Sequence, residues 1–202
     1  MDVFEVINTT RAMRRLKPDP VPDDLVWKVL DAAIRAPSGG NRQPWNFIVV
    51  RDDDVKKKIA AWYLEAWNAS YGPAKDAMAA NPGSARVFNS ADHLANHLSE
   101  VPVFIIAAIR GGDTGTSPAG SYVYPAVQNL MLAARALGLG TTLTTLHRMH
   151  EDDVKQLLGI PDNVQTLALI PLGWPKGKFG IGARRPVEEV TYWEKWGEAR
   201  TR

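Results

Sequence analysis

Ala36–Trp45 reads APSGGNRQPW, a connection between an apolar-periodic stretch and a run of strand formers. Pro, Ser, Gly and Asn are ordinary turn residues. A connection of this length nevertheless has no need of Ser, two glycines, Asn, Arg and Gln packed between two prolines. Gly39 and Gly40 allow backbone N–H groups to come close to a ligand. Ser38 and Asn41 can donate or accept, and Arg42 adds charge.

Upstream of the loop, Leu25, Val26, Val29, Leu30, Ala33 and Ile34 recur at helical spacing behind Asp23 and Asp24, and Pro37 stops the pattern. The prolines of PDPVPDD (18–24) exclude helix before it. Downstream, WNFIVV (45–50) is short and apolar and predicts a strand covered on both faces. VPVFIIAAI (101–109), TTLTTL (141–146) and TLALIPLGWP (166–175) predict three more strands. Tyr124–Leu137 predicts a helix apolar nearly all round, ended by GLG (138–140), and EDDVKQLLGI (151–160) one with acids in its first turn. Residues 53–99 read as mostly helical, broken by YGP and NPG, and RGGDTGTSPAGS (110–121) reads as a loop. The tail RRPVEEVTYWEKW ends in aromatics and is expected to pack on something, a partner chain being one option. Helices alternating with four apolar strands imply a layered α/β or α+β domain.

A chain of 202 residues, 45% hydrophobic, can bury one sizeable core. Its formal net charge of +2, with no long basic run beside aromatics, argues against nucleic acid and for an anionic small molecule. Without cysteine there is no thiol catalysis, disulfide or thiolate metal site. No leader-like or membrane-spanning stretch is present, so a soluble cytoplasmic protein is the expectation.

Two further basic clusters stand far apart in sequence. RAMRRLK (11–17) carries Arg11, Arg14 and Arg15, of which Arg11 and Arg14 would share a face if helical, and RRP (184–186) carries Arg184 and Arg185. A guanidinium offers paired donors matched to phosphate oxygens. A solvated basic face is the bland alternative for either cluster.

The order basic run, PVP, helix, APSxxNxQPW and apolar strand, with QNLMLAARALGLG (128–140) and RRP following, resembles the nitroreductase family of FMN-dependent NAD(P)H oxidoreductases over nearly the whole chain. The resemblance implies an α+β nitroreductase-like fold, in which a central mixed or antiparallel sheet is flanked by helices. It also implies an intertwined homodimer with FMN at the interface, touched by both subunits. One domain, 1–202, would carry a helical lid or interface insertion at about 53–99. Arg11 and Arg14 match the N-terminal positions at the flavin phosphate, with Arg15 a further candidate. Ala12 stands where Ser is common, so the backbone must serve there. Pro37, Ser38, Gly39 and Asn41, with Gln43 in the same motif, match the loop laid against the neighbouring subunit's flavin. Leu143, Thr144 and Thr145, with Leu146 and His147 following, match the stretch along the isoalloxazine ring. There, backbone N–H groups can bond the ring. Either Arg184 or Arg185 matches the late position closing on the phosphate.

The implied activity is ping-pong reduction of nitroaromatics, quinones or related small acceptors, with NAD(P)H a visiting reductant. A flavin storage or sensor protein without turnover is the alternative, and oxygen-dependent flavin cleavage or reductive dehalogenation a third option within the superfold. The flavin carries the redox chemistry, so no catalytic side chain or metal is required. His147 is a possible proton donor if its pKa is near neutrality, whereas His150 reads as an exposed loop residue. His93 and His97 share a helical face but lack the neighbouring Glu of a zinc helix. No G-x-G-x-x-G follows a strand, which disfavours a Rossmann site. Trp62 and Trp67 read either as core or as part of a lid.

Overall fold

Strand β2, Val103–Arg110, organises the molecule: its first seven residues are buried in succession, so both faces of the strand are covered. Alternation sorts its side chains. Val103, Ile105 and Ala107 face helices α2 (Asp23–Ala33) and α6 (Gly120–Ala136), meeting Val26, Val29, Ala126 and Leu130. Phe104 and Ile106 face the other way, onto α3 (Asp53–Tyr71) and α5 (Ala85–His97), meeting Ile59, Tyr63 and Leu94. The computed structural model describes residues 1–111 and 120–200, and most of the predicted 110–121 loop lies outside them.

The remaining strands are β1 (Trp45–Val50), β3 (Gly140–Thr141) and β4 (Val164–Gly173), in the order β1-β2-β4-β3 with every pairing antiparallel. With helices on both faces, the architecture is α+β and the sheet is antiparallel rather than mixed. Three short helices complete it: α1 (Val3–Thr9), α4 (Lys75–Ala80) and α7 (Glu151–Leu158). The 53–99 stretch is helical and breaks where YGP and NPG predict, but α3 and α5 belong to the core.

Two strand predictions need correction. Among the described residues β1 pairs only with β2, at the edge of the sheet; Val49 stands exposed, so its apolar run is not covered on both faces. TTLTTL pairs with β4 at Thr141–Leu172 and again at Thr144–Leu169, in one register, but not between. The interruption has a cause in β4. Thr142 falls opposite Pro171, which has no N–H to return. After Thr144 the chain winds into a 3-10 turn at Leu146–His150. Helix α6 begins four residues ahead of the predicted Tyr124, with Pro125 inside it.

Candidate functional site

The basic run is not a helix. Residues 10–15 belong to neither helix nor strand and Leu16 bridges to Pro175, with Met13 N–H donating to Thr141 O (2.8 Å) and Lys17 N–H to Trp174 O (2.7 Å). The run thus lies against β3 and the segment after β4. Gly140 permits this approach: a Cβ there would stand 2.9 Å from both Met13 Cβ and Leu16 Cδ2.

The arginines therefore part company instead of sharing a face. Arg11 Nη2 donates to Lys178 O (2.9 Å), and Arg15 Nη1 reaches His93 Nδ1 (3.3 Å). Arg14 turns inward. Its guanidinium is partly buried without a carboxylate partner among the described residues, and burial lowers its pKa from the ordinary value. Beside it stands Tyr63 of α3, buried, with its hydroxyl 2.9 Å from Thr144 Oγ1. Burial raises the Tyr63 pKa, so the phenol stays protonated.

Thr144 exchanges both backbone bonds with Leu169, N–H to O at 3.0 Å and O from N–H at 2.9 Å. Its amide is consumed by the sheet and is not free for a ligand, which corrects the expectation for that residue. The same pairing turns the amides of Leu143 and Thr145 away from β4. Neither has an acceptor among the described residues, and both residues are exposed. Arg14, Tyr63, Thr144 and these two edge amides form a cationic, donor-rich wall suited to an anion carrying further acceptor atoms.

Pro37–Gln43 stands elsewhere. Gly40, Asn41 and Gln43 have φ of 59°, 54° and 50°, a left-handed conformation that is uncommon for the two non-glycine residues. Ser38 Oγ accepts from Gln43 N–H (3.0 Å), and Gln43 Nε2 donates to Asn41 Oδ1 (3.0 Å). Pro37, Ser38 and Gly39 line a cleft of about 300 Å³ with Ser121, Tyr122 and Pro125 of α6. No described hydrogen bond or ion pair joins Ser38, Gly39, Asn41 or Gln43 to Arg11, Arg14 or Thr144. Arg184 donates to its neighbour's Ala183 O (2.9 Å); both it and Arg185 are exposed, and neither bonds the arginines of the basic run. Ala12 is exposed beside Arg11.

His147 also departs from expectation. Its ring is sealed from solvent with neither nitrogen partnered among the described residues, and burial, then the charge of Arg148, lowers its pKa to about 4. It is neutral near pH 7 and closed off, so it is not an imidazolium poised to donate a proton. His150 is partly buried, 3.3 Å from Asp153 and 3.7 Å from Glu65. Trp67 is core, its Nε1 bonded to Asp92 (3.0 Å), whereas Trp62 is partly exposed and its ring stacks on His150.

Two residues were not singled out from sequence. Tyr63 belongs to the apolar stripe Ile59, Ala60, Tyr63, Ala66 and Trp67, whose spacing marks a buried face but not a hydroxyl's partner. Arg135 is buried at the end of α6, donating to Thr9 Oγ1 (2.9 Å) and lying 4.1 Å over the Phe179 ring.

Comparison with known proteins places this geometry. The Nitroreductase family model matches residues 7–174. A provisionally named NADH dehydrogenase/NAD(P)H nitroreductase of Methanothermobacter thermautotrophicus is 33% identical, over 97% of this chain and 88% of its own. An FMN-bound nitroreductase structure from Desulfitobacterium hafniense superposes with a TM-score of 0.73 at 22% identity, covering 96% of this chain and all of the other. An iodotyrosine deiodinase structure bound to FMN and 3-iodo-L-tyrosine gives 0.75 at 21% identity, covering 92% and 96%. Sequence match and fold agree, and the chain belongs to the nitroreductase family.

Proposed function

We propose that the protein is an FMN-dependent oxidoreductase that accepts reducing equivalents from NAD(P)H in a first half-reaction and passes them to a nitroaromatic, quinone or related small acceptor in a second. The observation that carries this is Arg14, a partly buried cation with no carboxylate partner among the described residues. An unpaired charge in such a place is costly unless a ligand completes it. FMN fits: its phosphate is anionic, and its ring carries carbonyl and nitrogen acceptors for edge amides such as those of Leu143 and Thr145. Arg11 and Arg14 would hold the anionic end, while Tyr63 fixes Thr144 and the Thr144–Leu169 pairing fixes the edge amides. When bound, the flavin supplies the hydride and electron transfer, so the side chains need only bind, orient and exclude water.

The functional unit in this reading is a homodimer. Val3, Phe4 and Ile7 of α1, and Ile181, Val187, Val190 and Trp196 of the tail, are exposed apolar side chains of the kind a subunit interface covers. A second copy would cover it and bring Pro37–Gln43 and Arg184 or Arg185 to the other subunit's Arg14. The lid would then be the α4 segment, which buries none of its residues, rather than all of 53–99. No helix among the described residues is long and apolar enough to cross a membrane.

The test is the visible spectrum of purified protein supplied with FMN, followed by NADH and NADPH oxidation with nitrofurazone or menadione. Yellow protein, bleached by the reduced dinucleotide and reoxidised by the acceptor, is the expected result. Colourless protein refutes the reading. Yellow protein that is not bleached leaves a flavin store or sensor.

A further inference from the structure

The run 11–17 and the segment after β4 are antiparallel neighbours through the Leu16–Pro175 bridge, with Lys176 N–H bonded to Arg15 O (2.9 Å). That register sets Arg15 and Lys176 directly opposite each other, on one face of the pair. Like charges directly opposite on paired strands repel. Two imidazoles of α5 stand beside them. His93 Nδ1 lies 3.3 Å from Arg15 Nη1, and the His93 ring stacks on His97 with centroids 4.3 Å apart. A guanidinium only donates, so His93 Nδ1 accepts and its proton sits on Nε2. Burial, Arg15, His97 and Lys176 all lower the pKa of His93, and Glu100 alone opposes them. Glu100 is already committed to His97 Nδ1 at 2.7 Å. Neither Arg15 nor Lys176 forms an ion pair with a carboxylate among the described residues, although the Lys176 charge is near enough to Glu100 to help lower its pKa.

We propose that Arg15 and Lys176, flanked by His93 and His97, form a binding site for a phosphate-type dianion. The site is distinct from the Arg14 wall, because consecutive residues of an extended chain send their side chains to opposite faces. Arg14 goes to Tyr63 and Arg15 to His93. A tetrahedral oxyanion presents acceptors to a guanidinium fork, an ammonium and the Nε2–H of His93 together. It also cancels the repulsion that the strand register builds in. Arg15 and Lys176 are exposed, so salt weakens the attraction. Free phosphate and the 2′-phosphate of NADPH share the required chemistry.

The experiment follows the ring signals of His93 and His97 by NMR in the FMN-loaded protein at low ionic strength. Inorganic phosphate is added, with chloride as the ionic-strength control. A saturable shift of both rings with phosphate alone, weakened severalfold or more in Lys176→Gln, is expected. The absence of a saturable shift overturns the proposal. So does a shift confined to flavin-free protein, which would assign the cluster to the flavin phosphate. A second arm compares KM for NADPH and NADH in Lys176→Gln. A severalfold rise for NADPH alone makes the dinucleotide the source; unchanged KM values in the variant, beside a phosphate shift that is saturable in the unsubstituted protein and weakened in the variant, make it free phosphate. The NMR arm needs no turnover, so it stands or falls apart from the reductase reading.

Discussion

Tyr63 of α3 and Thr144 beside β4 join two core elements through hydroxyls 2.9 Å apart, under the influence of the Arg14 guanidinium. Either hydroxyl can donate to the other in this bond, with the Arg14 charge acting on the phenol from nearby. Tyr63→Phe and Thr144→Val are each expected to lower stability by about 1 kcal/mol, the usual net worth of one buried hydrogen bond. Because they remove the same bond, the double variant should lose less than the sum. Urea denaturation of the four proteins measures this, and additive losses would show that the two hydroxyls do not act as a pair.

Arg14 predicts effects of opposite sign in the two states of the protein. In the flavin-free form its guanidinium is desolvated without a counter-ion among the described residues, so Arg14→Gln should leave the melting temperature unchanged or raise it. In the loaded form the variant loses a charge-assisted hydrogen bond of about 1.5–3 kcal/mol, a roughly 10- to 150-fold weaker Kd for FMN. Flavin-fluorescence titration and paired melts of both forms provide the check. Destabilisation of equal size in both forms would mean that Arg14 serves the fold alone.

The helices and the buried strands β2 and β4 were legible because their apolar periods are long and uninterrupted. β1 misled because an apolar run carries no information about whether a further strand lies beyond it. TTLTTL misled because the residue that interrupts its pairing, Pro171, is on the other strand. The basic run told charge but not direction. Its extended geometry, which sends Arg14 inward and Arg15 to His93, depends on pairing with residues 174–176, far along the chain. Tyr63 was invisible for a similar reason: in sequence it is one more member of an apolar stripe, and its partners come from two other segments.

Gly140 holds the basic run in place by having no side chain. An added Cβ would meet Met13 Cβ and Leu16 Cδ2 at 2.9 Å and Pro175 Cβ at 3.3 Å, and Met13 Cβ is attached directly to the backbone that must shift. Gly140→Ala is expected to destabilise by about 1–3 kcal/mol through overpacking. Since Met13 adjoins Arg14, displacement of the run should also lower flavin occupancy. Denaturant midpoints and the flavin-to-protein absorbance ratio test both; a variant with wild-type occupancy would uncouple the glycine from the site.

His147 sets a pH dependence whose sign follows from its burial. Unfolded, the imidazole titrates near 6.5; folded and sealed, with no partner at either nitrogen among the described residues, it is lowered to about 4. Below pH 6.5 the unfolded chain therefore binds a proton that the native state refuses. Stability is lost as pH falls from about 6.5 to about 4 and levels off beneath that. Between pH 7.5 and pH 5 the loss from this one group comes to about 2 kcal/mol. His147→Leu removes both the titration and two unsatisfied nitrogens, so it should match or exceed wild-type stability at pH 7.5 and lead by about 2 kcal/mol more at pH 5. Denaturation of the two proteins at both pH values gives the comparison directly. Parallel losses would place the imidazole in contact with a proton acceptor, and with it a route by which His147 could exchange protons after all.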